Sequence, residues 1–287
     1  MRASKRKRIT ADEEERLKGG YKIIHSYKPT GKAEVNEVIS SDKSICRISF
    51  ERSGEMNHMN LGQMADYNKG DKGFMLDTVN LAWVPIYKFD DYLVEKKLTA
   101  NQINRNVSLL TESRNDIIAL QLSEPYVGDE EVFAKTLCNA LVQSICTVMN
   151  LDDNEINGFY QPIVGQNGKL LIFETSEGGT GTLSSIVRDK DLLKRIALKA
   201  MDILHFDALG NDQGNACATS CYNCICNFFN QRDHKLFDRN SVKDFLMALS
   251  ATTAIQGSQD DNVMFDIYMN QAVSGLEINV LRLIKEH

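Results

Sequence analysis

Four of the seven cysteines in this 287-residue chain lie within ten residues, in the pattern Cys-x3-Cys-x2-Cys-x-Cys. Thiolates at this density are typical of a metal site, because Zn²⁺ takes four nitrogen or sulfur ligands in a tetrahedron. The central Cys-x2-Cys spacing lets two thiolates face one ion, and the first cysteine can reach that ion from one turn earlier. The sequence therefore predicts a zinc site formed by Cys217, Cys221, Cys224 and Cys226.

The fourth ligand has an alternative. A Cys-x-Cys pair directly after a Cys-x2-Cys knuckle bends the backbone sharply, and His234 follows Cys226 eight residues later. A closed set of four protein ligands leaves no position for water, so we expect the zinc to be structural rather than catalytic. The other interpretations of the cluster are unmetallated thiols in a reduced loop and a redox dithiol.

A second pattern is a glycine-rich turn that follows an apolar segment ending at Glu174. Glycines permit positive φ, and the next helix presents unpaired N–H groups, so Gly178, Gly179 and Gly181 are candidate anion-binding residues. A tight strand-to-helix turn is the simpler interpretation, since the sequence lacks the lysine of a P-loop and a full dinucleotide motif. A divalent-metal nuclease would use Glu174 and Glu177 at this turn.

Polar side chains come directly after the cysteine cluster. They are Asn230, Gln231, His234 and Arg239. Such side chains can form a hydrogen-bonded network that holds the cluster to the next helix, or they can contact a nucleic-acid backbone. We expect the first arrangement, and we expect Phe228 and Phe229 to lie in the core rather than to stack on bases.

The first half of the chain has the texture of a β-structure. Short β-branched or aromatic runs are bounded by Gly, Pro, Asp and Asn, and they predict strands at 44–50, 73–77, 81–87 and 117–122. The polar stretch from Met56 to Lys72 is rich in Asn and Gly and predicts a loop.

The hydrophobic period changes to that of helices after Pro125. It predicts helices at 130–149, 183–206, 241–251 and 265–285, with a buried strand at 169–174. The fold class is therefore α+β, or mixed α/β. Three parts are expected: an arm over 1–20, a β-rich region over 21–125, and a helix-rich α/β domain over 126–287 that carries the zinc knuckle.

The charge is distributed unevenly. The chain has a net charge of −6, but residues 1–33 carry ten Lys/Arg against four Asp/Glu, so the remainder is strongly acidic. This argues against a broad nucleic-acid surface. The run Lys5–Arg8 predicts either a flexible arm that contacts phosphate or a solvated tail.

Targeting and membrane signals are weak. The N-terminus has charge but lacks the apolar core of a signal peptide, and no apolar run approaches the roughly 20 residues of a membrane helix. The density of cysteines without a secretory signal fits a reducing compartment. We therefore expect a cytoplasmic protein with no membrane contact.

Taken in order, the motifs resemble a known family. Gly178-Gly-Thr-Gly181, the cysteine knuckle, Asn230-Gln-Arg-Asp-His234 and Leu236-x-Asp-Arg239 are similar to the MrfA-like zinc-binding domain (MZB). This domain occurs in the C-terminal region of DNA-repair superfamily 2 helicases and in the DrmB subunit of the DISARM antiphage system. Cys226 falls where the family pattern has a variable or apolar residue, which gives His234 added weight as the fourth ligand.

The resemblance implies a role beside a helicase. The chain has no Walker A lysine loop and no DEAD/DEAH box, so it is not expected to be the motor. It is expected to be a zinc-stabilised accessory subunit of a separately encoded superfamily 2 DNA helicase, acting in phage defence or DNA repair, with DNA contact through the basic arm. The alternatives are the divalent-metal nuclease built on Glu174 and Glu177, and an assembly scaffold without DNA contact.

Overall fold

The computed structural model describes residues 20–30, 33–64, 70, 72–214, 217–228 and 230–257. Ten strands lie in this part of the chain: β1 (Tyr21–Lys28), β2 (Glu34–Ser40), β3 (Lys43–Gln63), β4 (Phe74–Asp77), β5 (Ala82–Val84), β6 (Ile103–Val107), β7 (Leu109–Leu122), β8 (Ile156–Ile163), β9 (Gln166–Glu174) and β10 (Thr252–Gly257). The same part contains five α-helices: α1 (Phe89–Lys96), α2 (Glu130–Met149), α3 (Thr182–Ile186), α4 (Lys190–Ile203) and α5 (Arg239–Ser250). This content confirms the predicted α+β class.

The chain forms two compact units. One consists of Met1–Ser26 and Asn57–Glu112, and the other consists of Tyr27–Met56 and Ser113–His287. In the first unit, β5, β4 and β6 form a three-stranded antiparallel sheet. The second unit thus includes β2, most of β3 and most of β7, which precede residue 125.

A seven-stranded sheet has the order β10-β2-β3-β7-β9-β8, with β1 also paired to β3. Successive side chains of a strand point to opposite sides of the sheet. Consecutive residues of β7 and β9 are buried, so both faces of these central strands are covered. Ile118 and Ile172 contribute to the larger hydrophobic cluster, whereas their neighbours Ile117 and Phe173 belong to a smaller one. Continuous apolar runs in β7 and β9 are what such burial requires.

Helices α2, α4 and α5 supply the larger cluster together with one face of this sheet. Asp129 caps the start of helix α2: its side chain accepts hydrogen bonds from the N–H groups of Glu131 and Val132. By length and composition alone α2 resembles a membrane-spanning helix, contrary to the expectation from sequence, and 56% of its most apolar stretch is buried inside the protein. Helix α2 is therefore the core helix of the second unit.

Three sequence expectations differ from the structure. The predicted loop 56–72 is a strand as far as Gln63, because pairing and the full burial of Met56 outweigh the low β-propensity of Asn and Gly. The predicted helix 183–206 is two helices, since Asp189 caps the start of α4 through the N–H groups of the next turn. Strand β8 was not expected at all. It pairs with β9 as a hairpin.

Three further expectations concern other parts of the chain. The predicted C-terminal helix 265–285, the basic run Lys5–Arg8 and the core position of Phe229 all lie outside the described residues. They remain predictions from the sequence.

Candidate metal centre

The segment between α4 and α5 brings three cysteines and one histidine together. One donor atom from each of His205, Cys217, Cys221 and Cys224 lies within 4.8 Å of the others. The sulfurs of Cys217 and Cys224 are 3.9 Å apart, and Nε2 of His205 is 3.3 Å from the sulfur of Cys221. Tetrahedral zinc with its usual bond lengths would need separations of about 3.8 Å between sulfurs and about 3.6 Å between nitrogen and sulfur. The donor set and its spacing therefore suit Zn²⁺.

His205 is positioned by the end of α4. Its backbone has φ of 62°, a left-handed conformation that few residues other than glycine adopt. The N–H of His205 donates to the carbonyl of Asp202 at 3.0 Å, and its carbonyl accepts from the N–H of Gln213 at 2.7 Å. The turn that ends the helix therefore points the imidazole back at the cysteines.

The Cys-x2-Cys knuckle is a tight turn closed by backbone hydrogen bonds, with one N–H directed at a sulfur. The N–H of Cys221 donates to the sulfur of Cys224 at 2.9 Å. The N–H groups of Cys224 and Cys226 both donate to the carbonyl of Cys221, at 3.1 and 3.2 Å. The turn therefore holds the sulfur of Cys224 against the backbone of Cys221.

The thiols affect one another electrostatically. Burial raises the pKa of Cys217 to about 12, and its neighbours Cys221 and Cys224 add to this. Burial acts in the same direction on Cys221, but hydrogen bonds from His205 and Cys224 outweigh it and lower its pKa to about 7. Three thiolates cannot form side by side at neutral pH unless a cation offsets their charge.

A buried arginine connects the two loops that supply the ligands. Arg239, the first residue of α5, is only 2% exposed, and its guanidinium forms a two-pronged ion pair with Asp212. It also donates to the carbonyl of Leu204 at 3.1 Å, next to His205. Its backbone N–H donates to the carbonyl of Thr219, between the first two cysteines. Arg239 therefore holds the loop of His205 against the cysteine loop.

Two residues expected as the fourth ligand lie elsewhere. Cys226 is not in the four-residue group; its thiol is buried, and burial raises its pKa despite a hydrogen bond with Ser220. His234 directs Nε2 at Oδ1 of Asn230, 2.9 Å away, and at the carbonyl of Asn227. The fourth member of the clustered donors is thus His205, which the sequence motifs did not indicate.

A weak sequence signal for His205 does exist. The histidine is the second residue after a strongly amphipathic helix, in the pattern His-x11-Cys-x3-Cys-x2-Cys. A spacer of this length gives no local reason to favour an upstream donor over Cys226 or His234, which both lie closer to the knuckle. The packing of α4 beside the cysteine loop is what brings His205, and not Cys226 or His234, to the three cysteines.

The polar run after the knuckle forms a hydrogen-bonded network, but the network joins the knuckle to α2 and not, as expected from the sequence, to the next helix. The side-chain amide of Asn230 donates to Asn139 on α2 at 3.0 Å and to the carbonyl of Ile225 at 2.7 Å. Gln143, one turn further along α2, donates to the same carbonyl. Lys135 of α2 pairs with Asp233 at 2.7 Å. These contacts attach the knuckle to the core helix.

The glycine turn contains its own anion. Glu174 is 2% exposed, and its carboxylate accepts hydrogen bonds from the N–H and hydroxyl of Thr180 and from the N–H of Leu183. These are the N–H groups at the start of α3 that a bound anion would otherwise take. Glu177 is exposed. The carboxylate of Glu174 is therefore committed to the turn and not directed at solvent.

Position 179 requires glycine because the side chain of Asp116 lies close to its Cα. Its φ is +66°, and a Cβ at this position would lie 2.6 Å from a carboxylate oxygen of Asp116. Asp116 is buried and accepts a hydrogen bond from the N–H of Ser53 at 3.0 Å. Gly178 donates its N–H to the carbonyl of Arg114. The candidate anion site is thus a packed strand-to-helix turn, the simpler interpretation of the two.

The fold and the side-chain cluster define a mixed α+β domain with a three-cysteine, one-histidine centre. Residues 137–225 match the family model described as the MrfA Zn-binding domain (MZB), which confirms the resemblance that the motifs predicted. All four members of the cluster lie within the matched residues, whereas Cys226 and His234 lie beyond them.

Solved structures of a helicase resemble the chain distantly. A crystal structure of the DUF1998 helicase MrfA bound to DNA matches with 11% identity and a TM-score of 0.43, over 80% of this chain. A second, bound to DNA and AMPPNP, matches with 9% identity and a TM-score of 0.34, over 79% of this chain. The matches cover 26% and 22% of those chains, so this chain spans about a quarter of their length. No curated protein matches the chain.

The ion pair of Asp212 and Arg239 predicts an acid-dependent loss of stability. The hydrogen bond that Arg239 donates lowers the pKa of Asp212 to about 2, from an ordinary value of 3.8. A depressed carboxyl pKa adds stability above about pH 4, and this is lost as the pH falls towards 2. Asp212→Asn should therefore lower the urea midpoint at pH 7, and its difference from wild type should shrink below pH 4. Asp244→Asn, on the exposed side of α5, is the control; an equal effect there would contradict the prediction.

The internal carboxylate of the glycine turn predicts a second stability effect. Glu174→Ala leaves the N–H of Thr180 and the buried N–H of Leu183 without their acceptor, which should cost about 1–3 kcal/mol of unfolding free energy. Glu177→Ala, three residues away and exposed, should change it by less than about 0.5 kcal/mol. Equilibrium urea unfolding measures both. Equal stabilities would show that Glu174 is not part of the turn's structure.

Proposed function

We propose that this chain is a zinc-stabilised, non-catalytic accessory component that works with a DNA helicase. The observation that carries the proposal is the cluster of His205 with three cysteines inside the stretch that matches the MrfA Zn-binding domain. The family is named for zinc binding, and the donor set of this chain suits that ion. The zinc would supply the positive charge that three adjacent thiolates need.

The zinc is proposed to be structural. Four protein donors complete a tetrahedron and leave no open position, unlike a catalytic zinc that keeps one for water. Cys217 and Cys224 are buried in the same hydrophobic cluster as the core helices. The binding free energy of the metal would therefore contribute to folding of the second unit, between α4 and α5.

The helicase context comes from the names of the relatives. The family is named for MrfA, and the two solved structures are described as a DUF1998 helicase bound to DNA. In this proposal a superfamily 2 motor on another polypeptide supplies ATP hydrolysis and strand separation, in phage defence or in DNA repair. The chain acts in the cytoplasm, where free thiols stay reduced. An internal carboxylate at the glycine turn supports a non-catalytic role over a nuclease built on Glu174.

Zinc content should identify the ligands. Wild-type protein is expected to hold one zinc per chain, and His205→Ala or Cys221→Ser should lower the content well below one or unfold the region. Cys226→Ser and His234→Ala should keep full zinc, because neither donor lies in the cluster. Plasma emission spectrometry after gel filtration measures this. Full zinc in His205→Ala together with loss in Cys226→Ser would restore the four-cysteine set predicted from the sequence.

Association with a helicase tests the proposed role. An affinity-tagged chain is expected to capture a separately encoded superfamily 2 helicase, and His205→Ala should weaken capture because the knuckle region loses its fold. Glu177→Ala serves as a surface control that should bind normally. Capture with no effect on the helicase's DNA-stimulated ATPase would favour the scaffold alternative. Failure of the wild-type chain to bind would sink the accessory role.

A further inference from the structure

Two large aromatic side chains stand out from the knuckle. Tyr222 lies between Cys221 and Cys224 and is 67% exposed, and Phe228 follows closely and is 55% exposed. Aromatic side chains of this size are usually largely buried. The exposure of Phe228 is contrary to the core position expected from the sequence. Both side chains are therefore more than half exposed beside the candidate metal centre.

One hydrogen-bonded frame holds both rings. The ring of Tyr222 packs edge-on against that of His234, with centroids 5.3 Å apart. Nε2 of His234 is 2.9 Å from Oδ1 of Asn230, which also accepts from the N–H of Asn227 at 2.8 Å. Phe228 is the next residue after Asn227. The two aromatic residues are thus fixed to the same short segment rather than to separate loops.

Cationic side chains belong to the same frame. The 3-10 turn Gln231–Leu236, which carries His234, exposes Arg232 and Lys235. The one acidic residue of this turn, Asp233, accepts a 2.7 Å hydrogen bond from Lys135 of α2, so its charge is offset. The exposed charged side chains of the turn, Arg232 and Lys235, are therefore both basic, although the chain as a whole is acidic.

The surface is not suited to a large apolar interface. Among the described residues from 217 to 236, Ile225 is buried and Leu236 is half-buried, so exposed aliphatic area is small. Asn223 and Asn227 flank the aromatic rings. Exposed rings between amides and cations are the composition of surfaces that bind single strands, where bases stack on rings and phosphates meet Arg or Lys.

We propose that Tyr222, Phe228, Arg232 and Lys235 form a contact site for single-stranded nucleic acid on the zinc knuckle. The two rings stack on unpaired bases, and the two cations meet the phosphates that link them. The site adds a strand-binding surface to the accessory role above. It rests on that role only for the choice of DNA as the probe.

The test is binding of a fluorescein-labelled oligo(dT) to the full zinc-loaded chain, followed by anisotropy. Tyr222→Ala and Phe228→Ala should each weaken binding roughly 5- to 150-fold, the range expected for the loss of one stacked base. Tyr222→Phe and Phe228→Tyr, which keep the rings, should bind within about twofold of wild type. Arg232→Gln combined with Lys235→Gln should reduce the slope of log K against log salt by about 1.4, since each phosphate contact on a single strand contributes about 0.7.

Matched controls distinguish strand binding at the knuckle from misfolding and from binding by the N-terminal arm. Tyr87→Ala removes an exposed tyrosine that also lies near a lysine, and it should leave binding unchanged. Zinc content and the urea midpoint of each variant show whether the knuckle is still folded. Alanine at all four residues of Lys5–Arg8 tests the arm separately.

Several outcomes overturn the proposal. They are absence of saturable oligo(dT) binding by the wild-type chain, wild-type affinity in the folded Tyr222→Ala and Phe228→Ala variants, and loss of all binding with the arm variant alone. If the ring variants lose helicase capture but keep their DNA affinity, the surface is a protein-docking site instead. Helicase capture is measured independently, so the accessory role can stand when strand binding fails.

Discussion

Three thiol sulfurs and one imidazole nitrogen meet at one point in the second unit, and their spacing suits a tetrahedral cation. Burial holds the pKa of Cys217 near 12, so thiolates crowded here are unfavourable unless positive charge lies among them. The segment between α4 and α5 has little regular structure of its own. The ion pair of Asp212 with Arg239 ties this segment to the start of α5. The ligands of the proposed zinc would hold its centre.

This arrangement connects the centre to the core of the unit. Cys217 and Cys224 pack in the hydrophobic cluster that α2, α4 and α5 form on the sheet, and the Asn230 network attaches the knuckle to α2. The proposed zinc would therefore hold residues that belong to the core as well as the loop. Tyr222 lies between two of the clustered cysteines and stays exposed, with its ring packed on His234.

The glycine turn shows how one motif can satisfy two interpretations. Its glycines and the start of α3 form the N–H arrangement of an anion site, as expected, but the anion is Glu174 of the same chain. Sequence patterns describe which groups a turn can offer. They do not describe which partner takes them, because Glu174 reaches Leu183 only once the strand and the helix have packed.

Much of this protein was determined by local sequence. The α+β class, helix α2, the strand ending at Glu174 and three of the four clustered donors follow from hydrophobic period and short-range spacing. The family resemblance came from the order of the short motifs, and the match of residues 137–225 confirms it. Other features were decided by tertiary structure: the strand through Gln63, the hairpin strand β8, the replacement of Cys226 by His205 in the cluster, and the exposure of Phe228. Each of these depends on packing between segments distant in sequence. A donor separated from the first cysteine by eleven residues is recognisable only after α4 has been placed beside the knuckle.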